Sequence, residues 1–291
     1  MPRITRIQIA KSDIVALFER RGQKVYKSEG IAEILEQNRL NWRLTINQSL
    51  SGFIEFLLKR TSLREVVLTS VGGSVTRYTW GEANVYEVAL SLNQEAYLSH
   101  GTAVYLHGLT DQIPKRIYVN HEQGPKPGGK VTLSQAGIDA AFKKPARVTH
   151  AVFQLGELQI VSINGKHTGR LEVGTLKDPD GPALDVTKLE RTLIDIAVRP
   201  VYAGGVIQVL EAYKAARSRV SVNVLAATLK RLGYIYPYQQ CIGFYMARAG
   251  YESARVEYMH SMPMNFDFYL ANEMGETEYD SNWRLFHPRG M

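Results

Sequence analysis

At 291 residues and 32.7 kDa, with 45% hydrophobic and 22% charged residues, the chain has a globular composition and enough apolar material for one or two cores, which excludes a disordered or fibrous protein. No run approaches the roughly 18 apolar residues of a membrane span, and a single cysteine, Cys241, excludes an internal disulfide or a Cys-rich zinc site, so the expectation is a soluble cytoplasmic protein of two or three modules. The basic excess, 35 Lys and Arg against 28 Asp and Glu, is concentrated in residues 1–80, which hold 13 against 7, and points to an anionic partner, nucleic acid foremost.

From Lys11 to Arg20 the residues Ile14, Val15, Leu17 and Phe18 recur at helical spacing, and Gly22 stops this first helix. Ser28 stands as N-cap of a second helix carrying Ile31, Ala32, Ile34 and Leu35. After the polar stretch Asn38 to Trp42, Thr45 or Asn47 can cap a third, with Leu50, Phe53, Ile54, Leu57 and Leu58 three and four apart. Two β-rich runs, Glu65–Thr69 and Val75–Trp80, are joined by Val71-Gly72-Gly73-Ser74, which suits a tight hairpin.

Three helices and a hairpin predict an N-terminal winged helix-turn-helix over residues 1–85, its third helix offered to the major groove and its hairpin reaching alongside. The polar face of that helix and its approach hold Arg39, Asn41, Arg43, Thr45, Asn47, Gln48, Ser49 and Ser51, with Lys59 and Arg60 closing the helix and Arg77 on the hairpin. Asn, Gln and Arg suit base edges, whereas Ser, Lys and Arg77 suit phosphates. A module that binds protein through the same face is the alternative.

A larger mixed α/β region, residues 86–291, completes an α+β fold class. Ser99 caps a helix running to Leu109, with Gly108 as its terminator. The runs Ile117–Val119, Val131–Leu133, Val152–Leu155, Leu158–Val161 and Leu171–Val173 predict a sheet built largely of hairpins within a sheet-rich stretch, 110–175. Thr187 and Glu190 are spaced as a capping box for a helix through Val198, which opens a helical tract, 187–250. Further helices are expected at Val206–Ala216, at Val222–Leu232 between Ser221 and Gly233, and at Pro237–Ala249. In the final stretch, 255–291, Phe266–Leu270 and Trp283–Phe286 read as a terminal hairpin.

Chemical motifs are sparse. Gly124 to Lys130 satisfies G-x-x-x-x-G-K, but Val131 has no hydroxyl for magnesium, and Pro125 and Pro127 remove two N–H donors from any phosphate cradle. His100 and His107 are two turns apart without a neighbouring carboxylate, a poor metal set, and Glu190 and Asp195 are badly spaced for an acid/base pair. The tyrosines at 234, 236, 238, 245, 251 and 258 suit an interface or a core equally. Hence no enzyme, no catalytic or metal site and no cofactor is expected.

The segments Tyr97-Leu98-Ser99-His100-Gly101-Thr102-Ala103-Val104-Tyr105-Leu106-His107-Gly108-Leu109-Thr110 and Ile113-Pro114 before Ile117-Tyr118-Val119 carry a further signal. With Leu189-Glu190-Arg191-Thr192-Leu193-Ile194-Asp195, Gly204-Gly205 and the ending Phe266–Leu270 with Trp283–Phe286, the chain from about residue 95 to 291 resembles the AbiEi antitoxins of type IV toxin-antitoxin and abortive-infection systems. The resemblance implies an N-terminal winged helix that represses its own operon at inverted repeats in promoter DNA. It also implies a C-terminal domain that counters a nucleotidyltransferase-like toxin of the AbiEii type without requiring a stable complex. The front departs from that pattern: Asn38 to Leu44 replaces a compact turn, and a basic wing ending Arg-Gly-x-Tyr is missing.

Overall fold

Phe18 and Trp80, rings stacked at 4.5 Å, lie at the centre of the first of two compact units in the computed structural model, which describes residues 5–125, 132–177 and 181–291. That unit comprises Met1–Gln94 with Val152–Glu157; the other comprises Glu95–Ala151 with Leu158–Met291. The division therefore falls at Gln94 instead of residue 85, and the strand at 152–155 belongs with the N-terminal elements.

In the first unit a short helix α1 (Arg6–Ile9) precedes α2 (Lys11–Arg21), which Gly22 ends in the left-handed region at φ 65°. Strand β1 (Val25–Tyr26) leads to α3 (Ser28–Asn38), whose N-cap is Lys27, not Ser28, and α4 (Leu50–Arg60) is capped by Ser49 instead of Thr45 or Asn47. Strands β2 (Leu63–Ser70) and β3 (Gly73–Trp80) pair antiparallel through all eight positions, and α5 (Val85–Leu90) follows. β1 adds to β3 with Tyr26 opposite Tyr78, and Thr69 of β2 opposes Gln154. Ile14, Phe18, Ile31, Leu35, Phe53, Leu57 and Leu63 are all at most 2% exposed, so one face of each of α2, α3 and α4 is the core.

The second unit is mixed α/β. It begins with β4 (Tyr97–Leu98), α6 (His100–Leu106), β5 (Arg116–Glu122) and α7 (Gln135–Phe142). After β6 (Val152–Leu155), the strand of the first unit, come β7 (Leu158–Gly165), β8 (Val173–Lys177), β9 (Ala183–Thr187) and α8 (Leu189–Val198). The order within this unit's sheet is β7-β5-β4-β9-β8. β5 and β7 run parallel, as do β4 and β9, with partners tens of residues apart in the chain, so this sheet is not built largely of hairpins; β8 and β9 do form one, pairing antiparallel. Of the expected strand at 131–133, Val131 lies outside the described residues and Thr132 and Leu133 form no strand.

A 3₁₀ turn at Pro200–Ala203 is followed by α9 (Val206–Ala216), α10 (Val222–Leu232), α11 (Tyr238–Arg248) and α12 (Ser253–His260). These helices enclose a core holding Tyr213, Phe244 and Tyr245, each fully buried. The expected capping box is absent: Lys188 is the N-cap of α8, Thr187 Oγ1 bonds Thr192 Oγ1 at 2.8 Å, and Glu190 accepts from Ser221 N at 2.9 Å. The tail is not a hairpin of Phe266–Leu270 with Trp283–Phe286. β10 (Phe268–Tyr269) runs parallel to β12 (Leu285–Pro288), and the antiparallel partner of β12 is β11 (Thr277–Asp280). Gln240, buried in α11, pins this sheet by donating to the carbonyls of Phe266, Trp283 and Arg284. Among the described residues no helix is long and apolar enough to cross a membrane.

Candidate nucleic-acid interface

The apolar face of α4 fixes which side chains look outward. With Phe53, Ile54 and Leu57 buried, Ser51, Glu55, Lys59 and Arg60 are exposed, and Ser49 Oγ accepts the Gly52 N–H at 3.1 Å to hold the first turn. From Ser51 to Lys59 this face spans about 12 Å at 1.5 Å per residue, the reach of a few base pairs. Glu55 and Lys59 form an ion pair at 2.5 Å, so Arg60 is the less encumbered cation at the far end.

The approach to α4 is a folded loop. Trp42 and Leu44 are buried, with the Trp42 ring stacked on Phe53 at 5.8 Å, and the backbone closes through Trp42 N to Asn38 O, Arg43 N to Leu40 O and Leu44 N to Arg39 O. Arg39 is a clamp. Its side chain is 15% exposed; Nε donates to Glu36 at 3.1 Å, Nη2 pairs with the same carboxylate, and Nη1 donates to the carbonyls of Thr45 at 2.7 Å and Gln48 at 3.1 Å. Arg39 is therefore committed to the loop rather than to a base edge, and its hydrogen bond with Glu36 raises its pKa and lowers that of Glu36.

Arg43, four residues on, is exposed with φ 51°, and Arg6 Nη1 reaches its carbonyl at 3.4 Å. Thr45, Asn47, Ser49 and Ser51 are also exposed, whereas Gln48 is half-buried with Nε2 3.4 Å from Ser49 O. The structure thus brings Arg43, Thr45, Asn47, Ser49 and Ser51 together on the loop and first turn of α4, with Lys59 and Arg60 at the end of the helix.

Arg77 does not join them. It is 7% exposed on β3, and its guanidinium donates to Ser91 Oγ, to the carbonyls of Ser91 and Leu92, and to Thr76 O. Burial lowers its pKa, and the side chain ties the hairpin to the segment after α5 instead of meeting phosphate. Sequence reasoning also missed Leu40 and Ile46, each 88% exposed on this loop. Apolar residues at 40, 42, 44 and 46 alternate, and only packing reveals which two turn inward.

The Gly124–Lys130 motif falls mostly on residues 126–131, outside the described residues. The two histidines do not share a ligand: His107 Nε2 lies 2.7 Å from Thr187 O, and His100 Nδ1 lies 2.8 Å from Ser99 Oγ. Asp195 pairs with Arg191 rather than with Glu190. No group of three His, Cys, Asp or Glu among the described residues is placed to hold a metal ion.

The chain is similar in structure to the RV2827C protein of Mycobacterium tuberculosis, known from a crystal structure: the TM-score is 0.56 at 18% identity, covering 98% of this chain and 92% of that one. The likeness is one of fold. No protein-family model matches the chain, and no curated protein does.

Proposed function

We propose that this protein is a DNA-binding transcriptional regulator, its first unit a winged helix that seats α4 in the major groove. The observation that carries the reading is the element order α2, β1, α3, α4, β2, β3, with β1 paired to β3, beside a solvent-facing row of Arg43, Thr45, Asn47, Ser49 and Ser51. Arg43 and Asn47 supply paired donors or acceptors for base edges, the hydroxyls reach phosphates, and the hairpin tip at Val71-Gly72 projects as the wing. Repression follows by occlusion, since a protein seated on a promoter repeat excludes polymerase. The AbiEi resemblance extends the reading: the operator is an inverted repeat in the protein's own promoter, and Glu95–Met291 neutralises a nucleotidyltransferase-like toxin, with no catalysis by this chain.

A gel shift with the intergenic DNA upstream of the gene tests the first part. Binding that prefers this DNA over random duplex, and that is lost in Arg43→Ala/Asn47→Ala while the fold is kept, is the expected result; no preference sinks it. Growth rescue on co-expression with a toxin of that class tests the second. Exposed Leu40 and Ile46 on the same surface favour a second reading, a protein partner docking there. On that reading no sequence-preferring gel shift is seen, and Leu40→Ser/Ile46→Ser abolishes co-purification of the adjacent gene product.

A further inference from the structure

A cavity of about 310 Å³ in the second unit brings together two sequence blocks that lie far apart in the chain, Leu98-Ser99-His100 and Glu190-Arg191-Thr192-Leu193-Ile194-Asp195. Its floor is buried and polar. Arg191 and Asp195, with side chains 5% and 6% exposed, pair at 2.8 Å, and Arg191 Nη1 donates to Leu171 O at 2.7 Å. His100 sits beside them with a backbone φ of 50°, in the left-handed region. Burial, then the nearby Arg199 and Arg191, pull the His100 pKa down to about 3, so the ring is neutral at physiological pH. Asn120 donates to Tyr97 Oη at 2.6 Å and lies over Gly165, where an added Cβ would stand 2.4 Å from Asn120 Oδ1.

Two exposed cations complete the wall. Lys166 Nζ rests on the carbonyls of Leu232 and Gly233 at the end of α10, and Arg199 Nη1 donates to Arg147 O at 3.2 Å. Among the described residues neither forms an ion pair. The lining therefore carries three cations and one carboxylate, and that carboxylate is already paired with Arg191. Among the described residues Lys166 and Arg199 have no carboxylate partner; besides those carbonyls, Lys166 Nζ lies 5.3 Å from the Tyr234 ring centre and the Arg199 guanidinium 5.9 Å from that of Tyr202. A phosphoryl group carries nearly two negative charges at neutral pH and three acceptor oxygens, which matches two cations without carboxylate partners better than a carboxylate does. A second cavity of about 880 Å³ shares Val198, Arg199, Tyr236 and Tyr238 with the first.

We propose that this cavity binds a small molecule through a phosphoryl group, held by Lys166 and Arg199 over the floor formed by His100, Arg191 and Asp195. The ligand is either free phosphate or a phosphate ester. Calorimetric titration of the full chain with inorganic phosphate, with adenosine monophosphate and with acetate separates these sources. Phosphate or the nucleotide binds the wild type, and Lys166→Gln/Arg199→Gln weakens that binding about tenfold or more. Tighter binding of the nucleotide assigns an ester, and equal binding assigns the free anion. The single Arg199→Gln, which removes one hydrogen bond at the rim, carries the test if the double variant does not fold. No binding of either phosphate probe up to about 10 mM, unchanged affinity in both variants, or acetate binding as tightly as phosphate overturns the proposal.

Discussion

Arg39 and Arg43 illustrate how two arginines four residues apart come to do different work. Arg39 spends its donors on Glu36 and two loop carbonyls, whereas Arg43 points to solvent. If the proposed DNA binding holds, Arg39→Ala is expected to lower Tm by loosening the loop and to weaken that binding only as a consequence, whereas Arg43→Ala weakens it at unchanged Tm. Thermal melts beside gel shifts check both. Arg77→Ala strands the Ser91 carbonyl and is expected to cost about 2 kcal/mol in urea unfolding, with no change in the salt dependence of DNA binding.

His100 gives a pH signature. Its pKa is about 3 in the folded chain against 6.5 for the free side chain. Between those values the unfolded chain binds a proton that the folded chain excludes, so stability rises with pH by up to about 1.4 kcal/mol per unit and is lost on acidification. Burial lowers His107 and His121 in the same sense, and Asp195, raised by burial against the pull of Arg191, opposes from about pH 3.8 upward. The readout is therefore the difference in slope between wild type and His100→Gln from about pH 5 to 6.5. Equal slopes would remove His100 as the source.

At the scale of elements, α9 and α10 are legible in sequence because their signals are local. Apolar spacing marks the buried face, Ser221 Oγ accepts the Val224 N–H, and Gly233 takes φ 56° at the end of α10. The tail is different, since its place depends on residues of another element, Gly243 as well as Gln240. A Cβ on Gly243 of α11 would lie 2.0 Å from the Trp283 ring, so the indole occupies the space a side chain would fill. Gly243→Ala is expected to expel Trp283 and cost about 3 kcal/mol, seen as a lowered Tm with a red-shifted tryptophan emission. Gly243→Ala/Trp283→Leu is expected to recover part of that loss. The capping box at Thr187 and Glu190 misleads for a related reason: both side chains find partners elsewhere, in Thr192 and Ser221.

For the whole molecule, the uneven charge has a measurable consequence. If DNA lies along the surface of Arg43, Lys59 and Arg60, affinity falls linearly on a log–log plot against salt, and each of these cations replaced by Gln reduces the slope by about one. Slopes unchanged by all three substitutions would move the interface elsewhere. Charge reads from sequence as a total, but the fold distributes it, and Arg77 and Arg191 are both buried despite counting toward the excess.

Sequence alone determined the helices α2, α3, α4, α9 and α10 and the β2–β3 hairpin, because periodicity, caps and turn glycines act within a few residues of one another. Tertiary structure decided which polar residues of the first unit face solvent, that β5 and β7 pair in parallel, and that His100 and Arg191 share one cavity. Those outcomes depend on partners tens of residues away, and burial and hydrogen bonding are set by what the folded chain places beside a group rather than by its neighbours in sequence.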